Sequence, residues 1–448
     1  MNFRLSRRAL AAITVCAILA GCGDSSKNTP SNVIDPHAQE RQANATNFSR
    51  TYFIGDSLTA GFMNGSLFAD PSNKYGLGQP GGYAALIAQQ ANFPIVLPLI
   101  ALPGAPNEIT LIDPTTFPPT LGQLPGKTTG RIVQQIQATD LAVPGHKVQD
   151  AISTRPSATP APGQQQLDTL VLGIPGLALN ISRSQLEWVE ALDPTQTFVW
   201  IGNNDALVAD FSGMPSSMTP LPQFTAQYQQ LIARLLQNTK GHIIMANIPD
   251  VTLVPYLTPG AVILAVGSQQ SGIPIPQLSA ILGIGPTDLV NPSGVSQALA
   301  ILHKTQAPPI SDAGFLSAAE IATVQANVNA YNQVISAQAQ IAGATLVDIH
   351  TLFNTLAAGG IVVNGKPVTN RFLGNAFSLD GIHPTNTGYA LLANYFIDTM
   401  NTQLKTTIPD VNVSAVASND PLFHATTVTG NLVFAPPQVR QVESLLNH

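Results

Sequence analysis

The sequence predicts an α/β protein built on a central parallel sheet, and three observations support this. Short, apolar, β-prone runs alternate with amphipathic helical segments along most of the 448 residues. The β-prone runs end abruptly at glycine or at a polar turn, as buried strands do. Neighbouring runs are separated by stretches long enough for a crossover helix. We therefore expect three layers, with helices covering both faces of the sheet.

The first half of the chain supplies a predicted strand, a further β-prone run and two helices. Residues 51–54 are β-prone and stop at Gly55, which predicts a buried strand. Residues 82–91 place Ala, Leu and Ile on one helical face, and residues 131–137 form the second short run. Residues 184–192 are predicted to be a helix with a serine cap. The alternation thus begins as strand, helix, strand and helix.

The second half continues the alternation with longer helices. Residues 223–238 carry Leu and Ile on one face. Residues 317–341 open with Ser317 three positions before Glu320, the spacing of a capping box. The remaining predicted elements are strands at 197–201, 242–247 and 345–349 and a helix at 386–400. In such sheets the reacting groups lie on loops at the carboxyl ends of the strands.

Two long stretches, at about 156–182 and 258–309, interrupt this pattern and are predicted to be insertions. Residues 156–182 carry a single charge, Asp168, and residues 258–309 are similarly poor in charge. One hypothesis is that these two stretches pack on the domain and extend its core. The other is that they form an apolar rim or lid over an acyl-binding cleft.

The N-terminus resembles the export signal of bacterial lipoproteins. A basic segment and a short apolar segment precede the run Leu19-Ala20-Gly21-Cys22, which resembles a lipobox. This predicts a signal peptide at 1–21, a lipidated Cys22 and a flexible tether at 22–48. By the same resemblance, Gly23 predicts that the lipid anchor holds the protein at the outer membrane of the bacterial cell envelope. An ordinary export signal with an incidental cysteine is the alternative.

Composition excludes some partners. The formal net charge is −6 and no basic stripe is present, which argues against nucleic acid. The chain has two cysteines, and both are accounted for if Cys16 leaves with the signal and Cys22 is lipidated. No cluster of His, Cys and Asp has the spacing of metal ligands, so we expect neither a metal nor another cofactor.

The run Gly55-Asp56-Ser57-Leu58 places a serine directly after the first predicted strand. A serine there can expose its hydroxyl and aim its backbone N–H at a ligand. The hydroxyl is a poor nucleophile until a base removes its proton, so a histidine is required elsewhere in the chain. The alternative is a plain turn in which Asp56 is merely buried.

The run Asp380-Gly381-Ile382-His383-Pro384 supplies a candidate base. A carboxylate three residues before a histidine on a turn can reach Nδ1 of the same ring. It then fixes the tautomer, leaves Nε2 as the base and stabilises the imidazolium. The rival is His350, which follows Asp348 at a strand end but lacks the Gly/Pro turn.

Two further segments offer hydrogen-bond donors for a developing oxyanion. The run Gly202-Asn203-Asn204-Asp205 follows a predicted strand, so an asparagine amide can point into the same cleft. Gly145 offers a backbone N–H without a side chain in the way. With the N–H of Ser57, these make three donors. Composition alone does not choose between the two asparagines.

Together these motifs resemble those of GDSL/SGNH-type serine hydrolases, over roughly residues 50–400. The resemblance implies a three-layer, flavodoxin-like α/β/α fold, the SGNH hydrolase fold, and hydrolysis of ester bonds. It implies that Ser57 is the nucleophile, His383 the base and acid, and Asp380 the group that orients His383. It also implies an oxyanion hole made by Ser57, Gly145 and Asn204.

The resemblance sets the expected domain limits. The hydrolase domain is predicted to span 49–403, with insertions relative to a minimal family domain at about 104–130, 156–182 and 258–309. Residues 404–448 are predicted to be a C-terminal extension with β-like pieces at 411–416 and 427–434. One departure from the family pattern is Asp140, where relatives more usually have asparagine.

The leading functional hypothesis is a lipid-anchored esterase or lipase that works through an acyl-enzyme. The apolar insertions favour small-molecule or lipid esters with acyl or aryl groups, and an acetyl ester on a polysaccharide is also compatible. Two alternatives stay open: a binding or scaffolding lipoprotein that uses the fold without turnover, and an acyltransferase with the same triad.

Overall fold

The computed structural model describes residues 35–116, 119–128, 130–174 and 182–424. The described strands are, in chain order, β1 (Thr51–Gly55), β2 (Ile109–Asp113), β3 (Thr120–Gln123), β4 (Gln196–Trp200), β5 (His242–Ala246), β6 (Thr258–Pro259), β7 (Leu289–Val290), β8 (Phe315–Leu316), β9 (Thr345–Val347), β10 (Ile361–Val363) and β11 (Lys366–Val368). The described helices are α1 (Ala38–Ala43), α2 (Tyr83–Ala91), α3 (Val148–Ser153), α4 (Gln164–Leu172), α5 (Gln185–Leu192), α6 (Asn203–Ser212), α7 (Leu221–Asn238), α8 (Gly260–Ser271), α9 (Ile275–Leu282), α10 (Pro292–Leu302), α11 (Ala318–Ala342), α12 (Ile349–Ala358), α13 (Asn386–Leu404) and α14 (Val413–Asn419).

The central sheet is parallel and has the order β1–β4–β5–β9. Residues 139–143 run alongside the free edge of β1, where the N–H of Phe53 donates to Thr139 and the N–H of Val143 donates to Gly55. Counting this segment, the strands follow the order 2-1-3-4-5, which is that of flavodoxin-like sheets. Every residue of β4 and β5 is buried, so helices cover both faces and the predicted α/β architecture is confirmed.

An aromatic cluster joins the sheet to α2 and α13. The ring of Phe396 lies 4.7 Å from that of Tyr83 and 5.9 Å from that of Trp200. The ring of Phe198 stacks on Phe53 of the neighbouring strand at 4.6 Å. Aromatic contacts of this kind add to the free energy of burial. They hold the ends of β1 and β4 in fixed register, and these ends carry the candidate site.

The predicted strand at 131–137 is wrong, and the neighbouring residues 139–143 take its place. Gln135 has a φ of 61°, which breaks an extended backbone. The guanidinium of Arg131 donates to the carbonyls of Ile136 and Gly173, which folds the segment into a bend. The β-prone side chains Ile132 and Ile136 are consequently exposed rather than buried in the sheet.

The predicted insertions form three different structures. In the first insertion β2 and β3 pair antiparallel, and in the second insertion residues 164–172 make α4. Residues 258–309 contribute α8, α9 and α10, which pack their apolar side chains on one another around Leu264, Leu278 and Val295. This segment also borders a groove of about 680 Å³ whose other wall includes residues 369–375. Neither Ser57 nor His383 lines this groove.

The predicted tether is wrong for the described residues 35–48. They include α1, and its Arg41 is buried against the C-terminal end of α7. The guanidinium of Arg41 donates to the carbonyls of Leu235, Leu236 and Thr239 and to that of Gly241. A helix C-terminus has carbonyls without intrahelical partners and attracts a cation, which explains why this polar segment packs on the domain.

The C-terminal extension also departs from the prediction. Residues 413–419 form the helix α14 rather than a β-like piece, because the side chain of Asn412 accepts a hydrogen bond from the N–H of Ala415 and caps the helix. The predicted signal peptide, Cys22 and the β-like piece at 427–434 lie outside the described residues. In the part of the chain that the structure describes, no helix is long and apolar enough to cross a membrane.

Candidate active site

Ser57 lies in the turn that directly follows β1 and is only 3% exposed. Asp56 shapes this turn, because its Oδ1 accepts a hydrogen bond from the N–H of Leu58. Its Oδ2 accepts from Nδ2 of Asn203 at 2.8 Å. Burial raises the pKa of Asp56 to about 6, although both donors favour the carboxylate. Asp56 therefore supports the turn, and the hydroxyl of Ser57 stays free to meet a base.

The structure brings Ser57, His383 and Asp380 into one chain of hydrogen bonds. Oγ of Ser57 lies 2.7 Å from Nε2 of His383, and Nδ1 of His383 lies 2.8 Å from Oδ2 of Asp380. His383 is 1% exposed and Asp380 is fully buried. With Nδ1–H donating to Asp380, Nε2 has its lone pair towards the serine hydroxyl. This is the arrangement in which a histidine acts as a base on serine.

Asp380 is held as a carboxylate by donors on every side. Its Oδ1 accepts from the N–H groups of Ile382 and His383, both at 2.9 Å, and its Oδ2 accepts from the N–H of Gly65 at 2.7 Å. Burial alone would raise the pKa of Asp380, but His383 and these backbone donors outweigh burial and lower it. Gly381 has a φ of 74°, which lets the turn bring the histidine back over the carboxylate.

The predicted oxyanion donors lie on loops that hydrogen bonds join together. Gly145 has a φ of 86°, a conformation that favours glycine, and Nδ2 of Asn204 donates to the carbonyl of His146 at 3.0 Å. That amide keeps a second N–H for a ligand. Among the described residues, none accepts a hydrogen bond from the N–H of Ser57 or of Gly145.

The two asparagines of the third motif do different things. Asn203 is committed to Asp56, whereas Asn204 faces the loop that carries Gly145. Asp205 reinforces the same loop, because its Oδ2 accepts from the N–H of Val148 at the start of α3. Burial raises the pKa of Asp205 to about 6. Asn203 thus supports the turn that carries Ser57, and Asn204 lies beside the loop of Gly145, so its role as an oxyanion donor stays a prediction.

One histidine near the site, His146, is not among the residues that the sequence predicts to be functional. His146 follows Gly145 directly, is 1% exposed and pairs with Asp168 at 2.9 Å. His350, the alternative candidate base, does not form such a pair. The carboxylate of Asp348 instead caps α12 by accepting from the N–H of Thr351. In the sequence, only the position directly after Gly145 could have indicated His146, because its partner Asp168 is 22 residues away.

Within the described ranges, no three His, Cys, Asp or Glu side chains are grouped to hold a metal ion. Asp140, the departure from the family pattern, is fully buried below the second motif. Its Oδ1 accepts from the N–H of Ala142, and burial raises its pKa to about 8. A neutral Asp140 therefore stands at neutral pH where an asparagine is usual.

Comparison with known proteins shows the family of this chain. The profile of the GDSL-like lipase/acylhydrolase family matches residues 52–396, which is most of the chain. The chain therefore belongs to this family and is a hydrolase that acts on esters. A search of curated protein sequences finds no significant match.

Solved structures of distant esterases and lipases are similar to this chain. One is LAE5, an α/β hydrolase from the metagenome of Lake Arreo, Spain, at 15% identity, with 79% of this chain and 95% of that chain covered and a TM-score of 0.34. Others are Axe2, an acetylxylan esterase from Geobacillus stearothermophilus (14%, 79% and 94%, TM-score 0.31), and phospholipase A1 from Streptomyces albidoflavus NA297 (11%, 79% and 99%, TM-score 0.33).

Proposed function

We propose that this chain hydrolyses carboxylic esters through an acyl-enzyme on Ser57. The observation that carries the proposal is the buried chain of hydrogen bonds from Ser57 through His383 to Asp380, with distances of 2.7 and 2.8 Å. The family match supplies the reaction class, and the geometry supports the assignment of roles. Small-molecule or lipid esters are the proposed substrates.

In the first half-reaction, Oγ of Ser57 attacks the ester carbonyl carbon while its proton moves to Nε2 of His383. The carbonyl oxygen becomes an oxyanion that accepts hydrogen bonds from the N–H groups of Ser57 and Gly145 and from Nδ2 of Asn204. The C–O bond to the alcohol then breaks, and His383 gives its proton to the leaving oxygen. Asp380 stabilises the imidazolium in between.

In the second half-reaction, His383 takes a proton from water, and the resulting hydroxide equivalent attacks the acyl carbon. The second tetrahedral intermediate uses the same donors. It collapses to release the carboxylic acid, and His383 returns the proton to Oγ of Ser57. Each proton that His383 accepts is passed on, first to the leaving alcohol and then back to Ser57, so the protons balance. No step requires a redox change.

A fluorophosphonate probe tests the nucleophile. We expect the purified chain to be labelled on the peptide that contains Ser57, and we expect Ser57→Ala to lose labelling and at least about 10³-fold in kcat on p-nitrophenyl acetate. Ser66→Ala is the matched control, because Ser66 is a buried serine of the same loop whose hydroxyl donates to Pro106 instead. Undiminished labelling of Ser57→Ala would overturn the proposal.

We also propose that the chain is held at the bacterial outer membrane by a lipid on Cys22. The support is the sequence alone: a basic segment, a short apolar segment and the run Leu19-Ala20-Gly21-Cys22. We expect Cys22→Ser to stay unprocessed or to appear in the soluble periplasmic fraction. A variant that fractionates with membranes at the mature mass contradicts the lipid anchor.

A further inference from the structure

A second buried histidine pair lies beside the proposed oxyanion hole. Nε2 of His146 lies 2.9 Å from Oδ1 of Asp168, and Nδ1 of His146 lies 2.9 Å from Nε2 of Gln185. All three side chains are buried. A fully buried run of polar groups is costly unless every member is hydrogen-bonded, so its position next to Gly145 calls for an explanation.

The backbone of Gly55 fixes the direction of every hydrogen bond in this run. Oε1 of Gln185 accepts from the N–H of Gly55, and Nε2 of Gln185 donates to the carbonyl of Gly55, both at 2.9 Å. The amide of Gln185 cannot be reversed without placing donor against donor. Since Nε2 of Gln185 can only donate, Nδ1 of His146 is the acceptor. His146 is then neutral, with its proton on Nε2 and donated to Asp168.

The same run is linked to the three segments that carry the proposed oxyanion donors. Gln185 clamps Gly55, two residues before Ser57. His146 is joined to Gly145 by a peptide bond. Its carbonyl accepts from Nδ2 of Asn204 at 3.0 Å and thereby holds that amide in place. The His146 ring, through Asp168 and Gln185, fixes the position of the His146 backbone, and that backbone carries the carbonyl that orients Asn204.

The predicted insertion at 156–182 supplies the outer end of the run. Asp168, the only charged residue in that stretch, lies on α4 and accepts from Nε2 of Gln164 at 3.0 Å as well as from His146. The same Nε2 of Gln164 donates to the carbonyl of Pro144 at 2.9 Å. The insertion thus forms hydrogen bonds on both sides of Gly145, to the backbone carbonyl of Pro144 and to the ring of His146.

We propose that Asp168, His146 and Gln185 form a positioning relay for the oxyanion hole, and that α4 serves the reaction by holding this relay. The inference rests on the proposed function and deepens it, because it assigns residues that act through Ser57, Gly145 and Asn204. Asp168 works as a hydrogen-bond acceptor that fixes the tautomer of His146. The relay touches neither the substrate nor the transferred proton.

The relay makes a specific kinetic prediction. Misplacing oxyanion donors weakens binding of the transition state and leaves binding of the ground-state ester nearly unchanged. We expect His146→Ala and Asp168→Ala to lower kcat on p-nitrophenyl acetate by about 10–100-fold, with KM within about threefold of wild type. Asp168→Asn keeps an acceptor oxygen for Nε2–H of His146, so it should retain kcat within about threefold.

The experiment uses the detergent-solubilised full-length chain, with kcat expressed per active site titrated by the fluorophosphonate probe. A purely structural role lowers the number of titratable sites and the melting temperature but leaves kcat per site unchanged, and that result would overturn the proposal. Arg234→Ala is the control, because it removes an ion pair between α7 and Glu190 on α5, the helix of Gln185, without touching the relay. We expect its kcat per site to equal that of wild type.

The remaining outcomes also decide the matter. If His146→Ala does not fold, the pair Asp168→Ala and Asp168→Asn carries the test, since only the first removes the acceptor. Equal losses in both Asp168 variants contradict the role of Asp168 as an acceptor. A wild-type chain that neither hydrolyses the ester nor reacts with the probe refutes the proposed function, and this inference falls with it. An active wild type with unaffected variants refutes the relay alone.

Discussion

Replacing Asn204 by alanine tests the oxyanion hole most directly. One N–H of its Nδ2 donates to the carbonyl of His146, which orients the amide and leaves the second N–H for the substrate oxygen. Negative charge on that oxygen develops only in the transition state, so the interaction should contribute to kcat and hardly to KM. Removing one such donor costs about 2.7–4 kcal/mol, or about 10²–10³ in kcat.

Asn203→Ala is the matched control from the same turn, and its effect should fall on stability. Nδ2 of Asn203 donates to Oδ2 of the buried Asp56 at 2.8 Å. Without that donor one oxygen of a buried carboxyl loses its partner, which costs about 1–3 kcal/mol of unfolding free energy. The pKa of Asp56, which burial already raises to about 6, should rise further. We expect kcat to fall by less than about tenfold.

The assay measures kcat, KM and melting temperature for both variants on p-nitrophenyl acetate. The expected result is a stable Asn204→Ala chain with a large loss of kcat and an active Asn203→Ala chain that melts several degrees lower. The opposite ranking, in which Asn203→Ala is stable but has lost its kcat, would refute the assignment of the oxyanion donor to Asn204.

Two further predictions concern buried ionisable residues away from the triad. Burial raises the pKa of Asp140 to about 8, so the folded chain binds a proton that the unfolded chain releases near pH 4, and stability falls as pH rises between those values. Asp140→Asn keeps an acceptor for the N–H of Ala142 but has no carboxyl group to titrate. In urea unfolding, the amount by which its unfolding free energy exceeds that of wild type should therefore grow by on the order of a few kcal/mol from pH 5 to pH 9. An advantage that does not change with pH contradicts this. Arg41→Ala should lower the unfolding free energy by about 2–4 kcal/mol, since it leaves the carbonyls at the end of α7 without their charged donor, while kcat stays at the wild-type value. A loss of kcat without a loss of stability would show that α1 does more than pack.

Features set by neighbours in sequence were predictable without the structure. Asp380 and His383 are three residues apart on one turn, so their contact follows from local geometry. The capping box at Ser317 and Glu320 is present as predicted. The strand that ends at Gly55 likewise follows from residue type, because a short apolar run closed by glycine suits a buried parallel strand.

Features that depend on distant partners were not predictable in this way. The segment 131–137 has the composition of a strand, but Arg131 and the conformation of Gln135 bend it, and residues 139–143 pair with β1 instead. Arg41 lies in a polar stretch typical of a tether, yet the carbonyls that bind it come from about 200 residues later in the chain. Local pattern says nothing about such contacts, because packing overrides propensity.

The candidate site shows the same division. Residue types and order indicated Ser57, Gly145 and the pair Asn203 and Asn204, since loops after parallel strands share one edge of the sheet, and the family resemblance implied Asn204 within that pair. Only the tertiary structure showed that Asn203 and Asn204 have different partners and joined His146 to Asp168 and Gln185. The physical reason is that a hydrogen bond requires its two atoms within about 3 Å and correctly aligned, and residues 22 or 39 positions apart meet that condition only after the whole domain has packed.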